Sequence, residues 1–279
     1  MKRRIAFYAL GVLFALGLAH CGGTPRAKAV TIKGSDTMVI LGQRWAEAYM
    51  AAHPGKVIQV TGGGSGTGIA ALINGTTDIC QSSRSMKDDE RAQLAKKNGH
   101  PPTETIVARD SLTIYVNVKS TIHELSLAQI RGIYSGTIHN WKEVGGPDAP
   151  ITAYGRENNS GTYAYFKEHV LENGDFAANI QTLPGTAAVV NAVAQDVNGI
   201  GYGGAAYAKG VTEVGVKAND QSPAVLPTAD NVKTGAYPIA RGLYYYTAQE
   251  PAGDLKEFMD FALSPEGQKL VSEVGYFPL

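Results

Sequence analysis

One segment of the sequence combines a guanidinium with two hydroxyls at the predicted start of a helix. Arg156 stands four residues before Ser160. Gly161 and Thr162 follow directly, ahead of the helical pattern Tyr163–Leu171. Ser and Thr cap helices well, and the first backbone N–H groups of a helix have no partner inside it. Such a helix start binds anions, and an arginine fork suits a tetrahedral oxyanion. The segment therefore predicts an oxyanion site, although an ordinary capped helix beside a solvated arginine would show the same residues.

Two further segments have the same strand–turn–helix design. Ser35 and Thr37 follow the strand-like Ala29–Ile32 and precede a long helical pattern. Ser65 lies in the glycine-rich segment Gly62–Gly68, which follows another short apolar strand pattern. One glycine-rich turn alone is more often a flexible loop, but three hydroxyl-bearing turns of one design predict a site assembled between elements. In open α/β sheets ligands bind beyond the carboxyl ends of strands, where these turns fall.

The rest of the chain alternates short apolar strand patterns with amphipathic helical patterns, which predicts an α/β fold. About 255 residues follow the N-terminal segment, enough for two modest domains. The predicted helices include Lys87–Lys97, Leu127–Tyr134, Thr186–Gln195, Gly253–Leu263 and Pro265–Val274. The predicted strands include Thr105–Ala108, Leu112–Val116 and Leu243–Tyr246.

The N-terminus has the layout of an export signal. Basic residues at positions 2–4 precede the apolar run Ile5–Leu18, which is too short to span a membrane comfortably. We therefore predict a signal peptide over residues 1–20 and a short tether over residues 21–29.

The end of this signal resembles a bacterial lipobox, with the sequence Leu18-Ala19-His20-Cys21. The resemblance implies that Cys21 receives a lipid and holds the protein at the periplasmic or cell-surface side of a membrane. His20 departs from the small residue usual before that cysteine, so a plain secreted protein is the alternative. Lipidation of Cys21 would leave Cys80 without a disulfide partner, and Cys80 is interpreted as a small buried residue.

Charge and histidine spacing exclude several classes of function. The chain has 25 basic and 25 acidic residues, and removal of the three basic residues at positions 2–4 leaves 22 against 25. No basic field is then available to attract nucleic acid. The histidines after the signal are scattered, without metal-ligand spacing, so neither a metal nor a cofactor is expected. A hydrolase, which needs a nucleophile with a base or a metal cluster, is disfavoured.

Several motifs together resemble the phosphate-binding subunits of the phosphate-specific ABC importer, which are PstS-type solute-binding proteins. These motifs occur in the family's order and spacing over nearly the whole mature chain: Gly34–Thr37, Gly62–Gly68, Ser82–Arg84, Ala108–Asp110, Arg156–Thr162 and Gly275–Leu279. The resemblance implies a two-lobed type II periplasmic-binding-protein fold, with a ligand cleft that closes by hinge motion.

The resemblance also implies how the chain is divided between the lobes. The first lobe would comprise residues 30–110 and 242–279, and the second residues 111–241. Hinge strands would lie near Ser111–Asn117 and Tyr237–Leu243. The implied function is high-affinity extracytoplasmic binding of inorganic phosphate by a monomer, and its delivery to the permease and ATPase of the importer, without catalysis.

Phosphate would be held by residues of both lobes. The resemblance implies Ser35, Thr37, Ser65 and Arg84 from the first lobe, and Arg156, Ser160, Gly161 and Thr162 from the second. The two arginines would balance the charge of a phosphate dianion. Arg84 also fits an ordinary surface arginine in the turn before a helix.

Asp110 is expected to give the site its selectivity. Phosphate near neutral pH keeps at least one proton, which a deprotonated carboxylate accepts in a charge-assisted hydrogen bond. Sulfate has no such proton and would be repelled. Alternatively, Asp110 pairs with Arg109 or caps its turn. Sulfate or molybdate as the ligand, and sensing or adhesion in place of transport, are the remaining alternatives.

Overall fold

The fold is described for residues 29–279 in a computed structural model. The predicted signal peptide and Cys21 lie outside these residues. Within the described range, the chain forms ten strands and nine α-helices. None of these helices is both long enough and apolar enough to cross a membrane. Cys80 is buried and free, in line with its interpretation as a small core residue.

The helices and strands alternate along most of the chain. The strands are β1 (Val30–Gly34), β2 (Ile58–Thr61), β3 (Ile79–Ser82), β4 (Thr103–Asn117), β5 (Glu124–Ser126), β6 (Thr152–Arg156), β7 (Gln181–Leu183), β8 (Gly199–Gly204), β9 (Val211–Lys217) and β10 (Ala240–Thr247). The α-helices are α1 (Val39–Ala52), α2 (Ser65–Asn74), α3 (Asp88–Asn98), α4 (Leu127–Ser135), α5 (Gly161–His169), α6 (Gly185–Gln195), α7 (Ala229–Lys233), α8 (Gly253–Leu263) and α9 (Pro265–Val274).

The strands form one curled sheet with the order β2-β1-β3-β10-β4-β8-β6-β7, and β9 pairs with β4 and β5. Strand β1 is parallel to both β2 and β3, so the carboxyl ends of these three strands meet at one edge. In the other half of the sheet β6 is parallel to β7 and β8. Each group of parallel strands therefore directs its turns to one side, as ligand sites in α/β sheets require.

Strand β4 connects the two halves of the sheet. Residues 103–111 pair with β10, whereas residues 112–117 pair with β8 and β9. The strands predicted at Thr105–Ala108 and Leu112–Val116 are both present, as two parts of this one continuous strand. Between them, Asp110 pairs with Arg241 directly opposite on β10. The crossing lies at Ser111 and Leu112, where the first predicted hinge strand begins.

Two large hydrophobic cores lie on either side of this crossing. The first core is formed by residues between 30 and 108 and between 243 and 276, together with Ala206. The second core is formed by residues between 112 and 239. We propose that the two lobes comprise residues 30–110 with 242–279, and residues 111–241.

Candidate anion-binding site

Five hydroxyl side chains meet between the two cores in what we call the hydroxyl cluster: Ser35, Thr37, Ser65, Ser83 and Thr162. Each is at most 1% exposed. The hydroxyls of Thr37 and Thr162 are 2.9 Å apart, and Ser35 Oγ donates to Ser83 Oγ at 2.9 Å. The backbone N–H of Ser83 donates to Ser65 Oγ at 3.1 Å. Hydroxyls both donate and accept, so this cluster can rearrange its hydrogen bonds around a polar ligand.

The parallel strands explain why these hydroxyls converge. Ser35 follows β1, Ser65 begins α2 after β2, and Ser83 follows β3, so all three lie at the same sheet edge. Thr162 approaches from the opposite side, at the start of α5. Ser160 caps that helix, because its Oγ accepts from the backbone N–H groups of residues 162 and 163 at 3.2 and 3.3 Å. Ser160 is thus a helix cap, as predicted, whereas the side chain of Ser35 makes no capping hydrogen bond and α2 is capped by Gly64.

Gly161 makes room for this convergence. A Cβ atom at this position would lie 2.2 Å from Ser65 Oγ and 2.8 Å from Ser83 Oγ. No side chain fits there, so the start of α5 reaches the hydroxyl cluster only because residue 161 is glycine.

Arg156 ends β6 and is 2% exposed. Its Nη1 donates to Thr186 Oγ1 and its Nη2 donates to Asp36 Oδ2, both at 2.8 Å. Its Nε is buried and has no hydrogen-bond partner among residues 29–279. Burial lowers the pKa of Arg156 and the Asp36 carboxylate opposes that effect, but a guanidinium stays charged in proteins. The side chain therefore presents a desolvated positive charge with one unused donor.

Asp110 is fully buried and pairs with Arg241, not with Arg109. Its Oδ2 accepts from Arg241 Nε at 3.0 Å and Nη2 at 2.8 Å, while its Oδ1 accepts from the backbone N–H of Ala205 at 3.1 Å. Burial raises the pKa of Asp110, and the Arg241 charge acts against that rise. A Cβ on Gly204 would lie 2.9 Å from Thr37 Cγ2 and 3.1 Å from Asp110 Oδ2, so the carboxylate borders the hydroxyl cluster.

Arg84 directs its fork to Glu90. Nη1 and Nη2 donate to the two Glu90 carboxylate oxygens at 2.8 and 2.7 Å, and Nη1 also donates to the Ser85 carbonyl. Burial raises the pKa of Glu90, but hydrogen bonds from Arg84 and the Lys87 backbone outweigh it and lower this pKa overall. Arg84 follows Ser83 of the hydroxyl cluster in sequence, but its guanidinium group is paired with Glu90. Its role as a phosphate ligand stays a prediction.

Sequence reasoning missed three polar residues of this region. Ser83 belongs to the hydroxyl cluster, and Arg241 holds Asp110 and has a buried, unpartnered Nη1 among the described residues. Asp36 accepts from Arg156 and from the backbone N–H of Gly63 at 2.7 Å. Ser83 and Asp36 both lie inside motifs of the resemblance, which was the available signal. Arg241 had none, because its partner is 131 positions away in sequence.

The donors of this region suit an oxyanion better than a metal ion. Among residues 29–279 no group of three or more His, Cys, Asp or Glu side chains is arranged to hold a metal. The hydroxyl cluster and the two buried guanidinium groups of Arg156 and Arg241 instead supply hydrogen-bond donors. These donors suit an anionic ligand.

Comparison with known proteins first defines the class. The chain matches the family model described as PBP superfamily domain over residues 21–266. Together with the two cores and the cleft between them, this match confirms the predicted α/β, two-lobed periplasmic-binding-protein fold.

Individual relatives then define the family. The chain is 36% identical to the phosphate-binding protein PstS of Pseudomonas aeruginosa, covering 88% of this chain and 81% of that protein. It is 31% identical to PstS of Bacillus subtilis, covering 100% and 95%. A solved structure titled a putative phosphate ABC transporter substrate-binding protein with bound phosphate, from Clostridium perfringens, has a TM-score of 0.81 at 31% identity, covering 90% of this chain and 100% of that one. The chain belongs to the PstS family of phosphate-binding proteins, as the resemblance implied.

Proposed function

We propose that this protein binds inorganic phosphate with high affinity outside the cytoplasm and delivers it to the permease and ATPase of an ABC importer, without catalysis. The observation that carries the proposal is the buried hydroxyl cluster, with Asp110 at its border. Arg156 Nε and Arg241 Nη1 are buried nitrogens without a hydrogen-bond partner among residues 29–279, and an oxyanion would accept hydrogen bonds from them. The relative from Clostridium perfringens, solved with bound phosphate, supports the same ligand.

The ligand would be held mainly by local hydrogen bonds. Arg156 faces Asp36, Arg241 faces Asp110, and Arg84 faces Glu90, so each positive charge already has a carboxylate partner. Ser35, Thr37 and Ser65 from the first lobe, with Ser160, Gly161 and Thr162 from the second, would supply hydroxyl or backbone donors. Charge-assisted hydrogen bonds to a desolvated anion are strong, so a site whose own charges nearly cancel can still bind phosphate.

Asp110 is proposed to distinguish phosphate from sulfate. Its Oδ2 already accepts two hydrogen bonds from Arg241, which leaves Oδ1 as the oxygen with room for a further donor. A protonated phosphate oxygen would donate to it, whereas a fully deprotonated anion would meet a lone pair. This role requires an ionised carboxylate: burial raises the pKa of Asp110 overall, and the positive charge of Arg241 acts against that rise and favours the ionised form.

Calorimetry on phosphate-stripped processed protein tests the proposed function. We expect one site per chain, a monomer in solution, and micromolar or better affinity, corresponding to about −8 kcal/mol or stronger. A phosphomonoester incubated with pure protein should stay intact. The absence of any binding heat with phosphate, or steady release of phosphate from the ester, would contradict the proposal.

We also propose that the protein is anchored through a lipid on Cys21 after removal of residues 1–20. The apolar run followed by a lipobox-like sequence supports this, and an importer subunit acts close to its membrane. The exported wild-type protein should partition into detergent, and Cys21→Ala should release it or leave it unprocessed. Mass spectrometry that finds a mature N-terminus other than Cys21 would overturn the anchor and favour a soluble protein.

A further inference from the structure

Asn159 joins the two lobes at a place outside the hydroxyl cluster. Its backbone carbonyl accepts from the N–H of Gly66 at 2.9 Å. Its Nδ2 donates to the carbonyl of Gly63 at 3.0 Å and lies 3.4 Å from Thr67 Oγ1. Asn159 stands between β6 and α5, whose apolar residues belong to the second core, whereas the glycine-rich segment follows β2 of the first core. These contacts therefore form only when the two lobes are together.

The glycine-rich segment is shaped to receive Asn159. Gly64 has φ +90°, and a Cβ there would lie 2.6 Å from the Asn159 carbonyl oxygen. A Cβ on Gly66 would lie 3.2 Å from the same oxygen. The approach of Asn159 therefore requires glycine at position 64, and residue 66 is in tight contact with the same oxygen.

The segment does not depend on Asn159 for its own conformation. Gly63 donates its N–H to Asp36 Oδ1, and the N–H of Gly68 donates to the Gly64 carbonyl at 3.1 Å. Both contacts lie within the first lobe. Loss of the Asn159 side chain should therefore leave the glycine-rich segment folded and destabilise the closed arrangement of the lobes.

We propose that Asn159 is a positioning residue that stabilises the closed lobes and thereby sets the rate of ligand release. This inference rests on the proposed function, since the ligand is taken to be phosphate. A contact made only in the closed state shifts the open–closed equilibrium by its own free energy and slows opening. Asn159 need not touch the ligand to do this.

Stopped-flow release of phosphate from the processed chain tests the proposal, with Asn159→Ala, Asn159→Asp and the control Asn158→Ala. Asn158 is the exposed neighbour in the same loop. Loss of the side-chain contacts in Asn159→Ala should speed release roughly five- to tenfold, with the association rate nearly unchanged. Asn159→Asp should speed release further, because its carboxylate faces the Gly63 carbonyl. Asn158→Ala should release phosphate at the wild-type rate.

A second measurement does not depend on phosphate. Spin labels on exposed positions of the two lobes report interlobe distances in ligand-free protein, and both Asn159 variants should shift that distribution toward longer distances. Release rates equal to that of Asn158→Ala, or an unshifted distance distribution, would overturn the role of Asn159. If wild-type protein failed to bind phosphate, the proposed function would be wrong. The distance distribution of the ligand-free protein would still show whether Asn159 stabilises the closed lobes.

Discussion

Arg156 and Arg84 were both predicted to bind phosphate, and the structure places them in different situations. Arg156 is 2% exposed, divides its fork between Thr186 and Asp36, and keeps Nε without a partner among the described residues. Arg84 gives both Nη atoms to Glu90, which also accepts from the backbone N–H of Lys87 at the start of α3. An arginine in an anion-binding motif is thus available to a ligand only where its donors are not already used locally.

The largest expected effect comes from Arg156→Ala. The change removes a desolvated charge and its hydrogen bonds from the anion, and it leaves the Asp36 carboxylate facing the site alone. Phosphate binding should weaken by about 2–5 kcal/mol. Calorimetry gives the affinity, and thermal unfolding controls for loss of structure. A variant that is folded and binds phosphate as tightly as wild type would show that Arg156 is not a ligand.

A smaller effect is expected from Arg84→Ala, the matched substitution in the other region. The Arg84 fork is engaged by Glu90, so its removal should weaken phosphate binding by less than about tenfold, or about 1.4 kcal/mol. Competition titration against wild type measures this difference. A loss as large as that in Arg156→Ala would mean that Arg84 leaves Glu90 and contacts phosphate directly, as the family resemblance implies.

The elements were predictable where the pattern is local. The bounds predicted for Gly253–Leu263 and Pro265–Val274 are those of α8 and α9, because apolar spacing, a helix-starting proline and a final glycine mark them. Short or half-exposed strands such as β5, β7 and β9 were missed, since three to seven residues without clear alternation carry little signal.

The site was predictable in its hydroxyls and not in its charge pairs. Ser35, Thr37, Ser65 and Thr162 lie in turns whose chemistry is visible in the sequence, and parallel pairing then brings the first three to one edge. The partner of Asp110 depends on the register of β10 against β4, which no local pattern specifies. The expectation that two free arginines would balance the phosphate charge therefore differs from the structure, where each arginine has a carboxylate partner.

The smallest change in phosphate affinity, but the sharpest test of selectivity, comes from Asp110→Asn. The amide keeps the volume and can donate to a deprotonated oxyanion, while Arg241 loses its counter-charge and adds positive charge to the site. Phosphate affinity should change modestly, whereas sulfate should gain, so the preference for phosphate narrows. Because a buried charge without its partner destabilises the fold, thermal unfolding must first show that the variant is folded.

Asp36→Asn is the matched control for this prediction, because it also removes a carboxylate that faces an arginine beside the hydroxyl cluster. Competition titrations of wild type and both variants with phosphate and sulfate, at fixed ionic strength, separate two mechanisms. Both variants remove one negative charge. If the preference for phosphate over sulfate falls only in Asp110→Asn, the result supports Asp110 as the acceptor of the phosphate proton. If that preference falls equally in the two variants, selectivity depends on the negative charge of the site and not on acceptance of the phosphate proton. An unchanged preference in Asp110→Asn would mean that another residue of the cleft accepts that proton.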